Sequence, residues 1–135
     1  MMAKTEIRTA KLRTPPGVFS QATVVGATGR LLFISGMTAR RADGTIAGVG
    51  DMREQTRQVC ENLKAAAEAA GGSLDDICRL DVYVRNMEEF AAIHEVRAEY
   101  FAPPLPASTM VEVTKLAAPE YLIEINAIAV LDASP

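Results

Sequence analysis

A change in the spacing of apolar residues near the middle of the chain constrains the fold most strongly. Over the segment DMREQTRQVCENLKAAAEAAGG, the residues that recur at helical spacing are Met52, Thr56, Val59, Leu63, Ala66 and Ala70. Asp51 precedes the run, and Gly71-Gly72 follows it. An acidic residue at the start and glycine at the end are typical helix boundaries, so this segment is predicted to be a helix.

The segments on either side of this helix have strand-like patterns. EIRTAKLRTPPG is predicted to be an opening strand that ends at Pro15-Pro16-Gly17. QATVVGATGRLLFISGM is predicted to be two strands joined as a hairpin at residues 27–30. A turn is expected at Asp43-Gly44. In ICRLDVYVRNM, Leu80, Val82 and Val84 alternate with polar residues, as in a half-buried strand.

A second helix is predicted from Met87 to Phe101, before Pro103-Pro104, and two further strands at residues 106–113 and 121–130. The order strands, helix, strand, helix, strands predicts an α+β fold, a sheet with both helices on one face. The 135 residues suffice for one domain, over 1–135. Because aromatic residues are only 5% of the chain and Trp is absent, we expect a thin core and a partner subunit on the other face of the sheet.

Composition excludes several classes of function. A net charge of −3 and no basic stripe argue against nucleic acid as a partner. Cys60, Cys78 and a single histidine form no metal-ligand pattern, so we expect no metal, and we expect no cofactor. The cysteines are expected to be small buried hydrophobic residues. No apolar run is long enough to predict a membrane span or secretory signal, and a cytoplasmic location is expected.

The last two strands carry polar residues where apolar ones are usual. Period two places Ser108 with Met110 on one face of the first strand, and Glu124 with Asn126 on one face of the second. A carboxylate in the apolar run YLIEINAIAV must be solvated, paired or held in a pocket. These residues therefore mark either a solvated sheet edge or a cleft that contains a carboxylate.

Two polar residues also fall within the apolar arc of the second helix. This arc contains Phe90, Ile93, Tyr100 and Phe101, and it includes His94 and Arg97. Arg97 can extend to solvent along its methylene stem or point inward. His94, the single histidine, is either a hydrogen-bonded core residue or a site residue. The pattern leaves both alternatives open.

The chain resembles the Rid/YjgF family in successive blocks from about Gly17 to Val130. These blocks are GVFSQA, LLFISG, EQTRQVCENLKAAAEAAGGSLDDI, EEFAAIHEVRAEYF, PASTMVEV and LIEINAIAV. The resemblance implies a chorismate-mutase-like α+β fold and a homotrimer with clefts between subunits. It also implies hydrolysis of enamines and imines such as 2-aminoacrylate to a keto acid and ammonia. The stretch SGMTARRADGT is similar to catabolic members, which include 2-aminomuconate deaminases.

The chain departs from the family at the positions expected to bind substrate. Ser108 stands where imine deaminases have the arginine of P-A-R-S, which binds the substrate carboxylate, so the chain is identified as a divergent member that lacks this arginine. Phe19 replaces the tyrosine of G-P-Y-S-Q. His94 and Arg97 occupy the asparagine and tyrosine positions of N-E-V-Y. Glu124 matches the acidic position thought to position or activate water.

Two functions follow as alternatives. In the first, the chain is a hydrolytic deaminase of a small enamine or imine acid. Glu124 is its catalytic residue, a backbone N–H near Gly36 helps to seat a carboxylate, and the lost cation is replaced by Arg97, His94 or the Arg40-Arg41 pair. In the second, the trimer binds a small carboxylic acid and hydrolyses nothing. A ribonuclease activity is disfavoured by the acidic balance of the chain.

Overall fold

The structure is a computed structural model that describes residues 4–14, 17, 19–26 and 28–133. It contains six strands and two α-helices within these residues. In chain order they are β1 (Lys4–Ile7), β2 (Ala22–Val25), β3 (Arg30–Met37), α1 (Met52–Ala69), β4 (Ile77–Val84), α2 (Phe90–Tyr100), β5 (Ala107–Glu112) and β6 (Ile123–Leu131). Pro15, Pro16 and Ala27, which belong to predicted turns, lie outside the described residues.

The main sheet has four strands in the order β3-β6-β4-β5. Strand β6 is antiparallel to both β3 and β4, whereas β5 is parallel to β4. The parallel pair requires a crossover, and α2 supplies it. The predicted α+β fold, a mixed sheet with two helices on one face, is confirmed.

The core lies between the helices and one face of this sheet. Leu80, Val82 and Val84 of β4 are at most 1% exposed, and their partners on β6 are Ala127, Ile125 and Ile123. Helix α1 contributes its own buried stripe, which includes Val59, Cys60 and Leu63. The core faces predicted for β4 and β6 are therefore correct. Cys60 is buried as expected, whereas Cys78 is only half-buried.

Helix α1 begins and ends as its sequence predicts. The Asp51 side chain accepts a hydrogen bond from the backbone N–H of Glu54, which satisfies a donor of the first turn. After the helix, Gly71 adopts a φ of +89°, a left-handed conformation that favours glycine. The turn predicted at Asp43-Gly44 is also present, because the Gly44 N–H donates to the Arg41 carbonyl.

Strands β1 and β2 form a separate two-stranded sheet. The hairpin predicted between β2 and β3 is therefore wrong, because β2 pairs with β1 and β3 pairs with β6. It is attached to β4 by side chains: Lys4 Nζ donates to the Ile77 carbonyl at 2.7 Å, and Thr23 Oγ1 donates to the Cys78 carbonyl at 2.9 Å. Just before β2, Ser20 forms a parallel bridge with Ala107 at the start of β5. This bridge brings residue 19 next to the free edge of the main sheet.

The face of the sheet away from the helices, called here the outer face, is mixed in character. Its polar residues include Arg79, Asp81 and Asn126, which form a chain of hydrogen bonds across β4 and β6. Its large apolar side chains are exposed: Leu31 is 62% exposed, Phe33 69% and Val111 42%. That a partner subunit covers this face stays a prediction.

The apolar arc predicted for the second helix is only partly buried. A 3-10 turn at Met87–Glu89 precedes α2, so Phe90 opens the helix and is 49% exposed. Ile93 and Phe101 are the buried apolar residues of this arc, and Val96, which was not assigned to it, is also buried. Among the described residues, no helix is long and apolar enough to cross a membrane. Within the residues that the structure describes, no three His, Cys, Asp or Glu side chains lie close enough together to hold a metal ion.

Candidate active site

A cavity of about 260 Å³ lies where α2 passes over the free edge strand β5. It collects several residues that the sequence marked, together with apolar neighbours. Its lining consists of Phe19, Met87, Phe90, His94, Arg97, Ser108 and Met110, and it is called here the arginine pocket. Positions 87, 90, 94 and 97 recur at intervals of three and four, so they form one stripe of the helix. Ser108 and Met110 share one face of β5, in register with the buried Leu80 and Val82.

Arg97 points inward and is only 2% exposed. Its Nη2 donates to Ser108 Oγ at 2.9 Å, while its buried Nε has no hydrogen-bond partner. Among the described residues, no carboxylate forms an ion pair with it. Burial lowers the pKa of the guanidinium, but arginine keeps its charge in proteins. The pocket therefore contains a buried cation that lacks an anion.

Ser108 fixes the position of this cation and does not replace it. Its hydroxyl oxygen accepts from Arg97, which leaves the hydroxyl proton free to donate. The pocket thus contains an arginine that belongs to the helix, eleven positions before Ser108 in the chain. The alternative that Arg97 extends to solvent is wrong.

His94 lies one helical turn before Arg97 and is half-buried. Its Nδ1 is buried without a hydrogen-bond partner, and its ring meets Phe90 edge-on, with centroids 5.4 Å apart. Burial, and then the charge of Arg97, lower the pKa of His94. The imidazole is therefore neutral at pH 7 and can exchange a proton with a ligand.

Glu124 and Gly36 lie together on the outer face of the sheet. A Cβ added to Gly36 would lie 2.1 Å from Glu124 Oε2, so any side chain at position 36 would displace the carboxylate from this place. Among the residues that the structure describes, none forms a hydrogen bond or ion pair with the Glu124 side chain. The carboxylate thus packs against the backbone of Gly36. At this point the register between β3 and β6 shifts, as in a β-bulge.

The sheet separates these two groups within one chain. Ser108 is in register with Leu80, whose side chain faces the helices, whereas Glu124 is in register with Tyr83, which faces the opposite way. The arginine pocket and Glu124 therefore lie on opposite faces. A reaction that uses both would need the Glu124 of a second copy.

Sequence reasoning missed three residues of the pocket, and four of its candidates lie elsewhere: Gly36 and Glu124 on the outer face, and the Arg40-Arg41 pair. Met87, Phe90 and Met110 line the cavity. The available signal was their spacing, since Met87 and Phe90 share the helix stripe of His94, and Met110 shares the strand face of Ser108. By contrast, Arg40 donates to Tyr121 Oη at 2.7 Å and to the Gly44 carbonyl, and Arg41 donates to Thr45 Oγ1. These arginines stabilise a turn and do not line the pocket.

The fold and the pocket together define a small α+β protein with a candidate site for an acidic ligand. The family model described as endoribonuclease L-PSP matches residues 11–131. The chain belongs to this family, which is the Rid/YjgF family that the sequence blocks predicted.

Individual relatives agree with this assignment. A RutC family protein of Pyrococcus abyssi is 41% identical over 128 residues, which are 95% of this chain and 98% of the relative. A 2-iminobutanoate/2-iminopropanoate deaminase of Dermatophagoides farinae is 32% identical over 132 residues, or 98% and 100% of the two chains. The crystal structure of the Rid family protein YyfB from Yersinia pestis has a TM-score of 0.87 and 36% identity, and covers 95% and 98%. Imine deamination is thus supported at the level of the family.

Proposed function

We propose that the protein is a hydrolytic deaminase of small acids that carry an enamine or imine group. The sequence indicates two candidate substrates, 2-aminoacrylate and the dicarboxylate 2-aminomuconate. The imine deaminase of D. farinae, similar over the whole chain, supports the reaction class. The observation that carries the proposal for this chain is the buried Arg97 guanidinium, which faces a cavity and has no anion among the described residues.

An unpaired buried cation costs several kcal/mol, and a ligand carboxylate would offset that cost. In the proposed complex, the carboxylate accepts from the free Nε–H of Arg97 and from the Ser108 hydroxyl. This contact would orient the imine carbon of the substrate toward the mouth of the pocket. A bound carboxylate would also favour a proton on His94, since it would offset the charge of Arg97 beside it.

Glu124 would act on the water. It accepts a proton from the water as the water oxygen bonds to the imine carbon, and it passes this proton to the nitrogen to give a tetrahedral aminoalcohol. A second proton then moves from the hydroxyl group to the nitrogen through Glu124 or His94. The C–N bond breaks as the C=O bond forms, so ammonia leaves and the keto acid remains. Positioned acid–base groups of this kind contribute about 10²–10⁴-fold to a rate.

Because Glu124 and the arginine pocket lie on opposite faces of one sheet, the proposed cleft is completed by a neighbouring copy. A homotrimer would join the β5 edge of one chain to the outer face of the next. The exposed Leu31 and Phe33 on that face would then be covered. We expect this assembly to work in the cytoplasm on free metabolites.

The alternative is a trimer that binds a small carboxylic acid without hydrolysing it. The same buried cation supports this function, but the alternative gives no role to Glu124 packed against Gly36. Nucleic acid is disfavoured as a partner by the net charge of −3.

Ammonia release from 2-aminoacrylate and 2-aminomuconate, each generated in situ by an enzyme, tests the proposal. We expect acceleration over spontaneous hydrolysis of at least one substrate, with loss in Glu124→Gln and in Arg97→Met. Glu88→Gln, which changes an exposed carboxylate before α2, is the matched control and should keep full activity. Activity that is unchanged in Glu124→Gln would contradict the proposal. Absence of activity with retained binding would favour the alternative.

A further inference from the structure

The arginine pocket has a polar end and an apolar end. Arg97, Ser108 and His94 form the polar end. The remaining lining is apolar. Phe19 lies beside the start of β5, near Ser108, whereas Met87, Phe90 and Met110 form the apolar end. Met side chains adapt to aliphatic groups of varied shape, and phenylalanine offers only an apolar surface at this site. A ligand whose carboxylate pairs with Arg97 would place the rest of its body against these side chains.

A carboxylate lies beside the pocket, next to Met87, although it does not belong to the lining. Glu112 follows Ser108 and Met110 on the same face of β5, four residues or roughly 13 Å from Ser108. Its Oε1 accepts a hydrogen bond from the backbone N–H of Met87, itself part of the pocket lining, at 2.9 Å. A second negative group on a ligand would therefore meet methionine and phenylalanine side chains and then a fixed negative charge.

Arg97 is the one charged residue of the pocket lining within the described part of the chain. Arg85 and Lys115 line a different cavity, at the end of β4 and in the loop after β5. Arg85 also belongs to the outer face, since it alternates with Val84 along the strand. One chain therefore offers a single cation to a ligand in the arginine pocket.

We infer that the pocket selects acids with one carboxylate and a short apolar body, and that it excludes dicarboxylates. The inference rests on the proposed function only where it calls these acids imine substrates. The preference for one carboxylate applies equally if the pocket binds acids without hydrolysing them. Met87, Phe90, Met110 and Glu112 are the specificity-determining residues. A cavity of about 260 Å³ suits an aliphatic acid of the size of a leucine derivative. The inference favours 2-aminoacrylate and its aliphatic homologues over 2-aminomuconate.

Binding of a shape-matched pair of inert acids to the full-length protein tests this selectivity. In 4-methylpentanoate an isopropyl group stands where butanedioate has its second carboxylate. We expect the monocarboxylate to bind at least about tenfold more tightly, measured by isothermal titration calorimetry, because a mismatch of this kind leaves a charge without a partner. Equal or tighter binding of butanedioate, or no binding of either acid, would overturn the inference.

Three variants show whether these residues are responsible. Phe90→Arg adds a cation on the exposed first turn of α2, on the helix stripe of Arg97, and should reverse the preference. Glu112→Gln keeps an acceptor for the Met87 N–H but removes the charge, and should reduce the preference. Arg85→Gln should leave it unchanged. If butanedioate binding depended on Arg85, the second cation would come from a neighbouring copy and the inference would be wrong.

Turnover distinguishes the selectivity from the reaction. The imines formed by oxidation of leucine and aspartate differ by the same exchange of isopropyl for carboxylate. We expect faster ammonia release from the leucine-derived imine. If neither imine is hydrolysed but 4-methylpentanoate still binds selectively, the proposed function fails and the selectivity stands. Faster hydrolysis of the aspartate-derived imine would contradict the preference for acids with one carboxylate. It would leave the proposed function intact.

Discussion

The Arg97 guanidinium donates to Ser108 Oγ at 2.9 Å and joins the buried face of α2 to the edge strand β5. The family arrangement places the arginine on the strand; here the helix supplies the cation and the strand supplies a small acceptor. The pocket thus contains an arginine, although the strand position where the resemblance implies one is a serine.

If Arg97 takes the place of an arginine at position 108, the two positions should be coupled in the free energy of unfolding. Ser108→Arg would place a second guanidinium beside the buried Arg97, and we expect it to lower the free energy of unfolding by on the order of 3 kcal/mol. Adding Arg97→Tyr, which restores both family residues, should recover most of this loss. Urea denaturation of the two variants measures it. If the double variant is no more stable than Ser108→Arg, the two positions are not coupled.

A second prediction separates binding from stability at Arg97. Arg97→Met removes the charge but keeps much of the side-chain volume, so the free energy of unfolding should be unchanged or raised by about 1 kcal/mol. The KM for an acidic substrate should rise by about 100-fold, as expected when one partner of a buried ion pair is removed. Arg53→Met, on an exposed salt bridge with Glu95, is the control and should change neither. A large loss of stability in Arg97→Met would show a structural role instead.

The third prediction concerns pH. The pKa of His94 is lowered by burial and by Arg97. His94 therefore binds a proton at a higher pH in the unfolded chain than in the folded chain. Stability from this group is present above the ordinary histidine pKa of 6.5 and is lost as the pH falls below that value. We expect thermal unfolding to shift downward between pH 7 and pH 5, and to shift less in His94→Asn. Saturating 4-methylpentanoate should reduce the shift by favouring the protonated imidazole. An equal shift in both proteins would contradict this cause.

Gly36 provides a fourth prediction. In Gly36→Ala the new methyl group would overlap the Glu124 carboxylate, at 2.1 Å from Oε2, and would push it away from its place on the outer face. We expect kcat to fall by about 10²-fold, the range for a misplaced acid–base group, with little change in KM. Steady-state kinetics of ammonia release measures both. A rise in KM with kcat unchanged would mean that Gly36 contacts the ligand and does not position Glu124.

Strong local signals made much of the fold predictable. Helix α1 has a continuous apolar stripe, an acidic cap at Asp51 and glycine at its end, and each of these signals acts within a few residues. The core faces of β4 and β6 follow from strict alternation. Phe90 lies on the predicted arc with His94 and Arg97, but it is more exposed than predicted because it is the first residue of α2 and lines a cavity instead of the closed core.

The site was predictable only in part. The family blocks indicated Phe19, His94, Arg97 and Ser108, and the structure brings these side chains to one cavity. Whether the Arg97 side chain points inward depends on what α2 packs against. The spacing of residues in the sequence does not show this. The sequence also grouped Glu124 with these residues. Alternation shows which residues of one strand share a face, but the relation between faces of β5 and β6 depends on their register with β4.

The central claim is that the Arg97 of one chain works with the Glu124 of another, and complementation between two inactive variants tests it most directly. Arg97→Met and Glu124→Gln chains are unfolded together, refolded as mixed oligomers, and assayed for ammonia release. If each site combines two chains of a ring, random equal mixing should restore about a quarter of the wild-type activity. If both residues act within one chain, every site keeps one defect and the mixture stays inactive, which would contradict the claim.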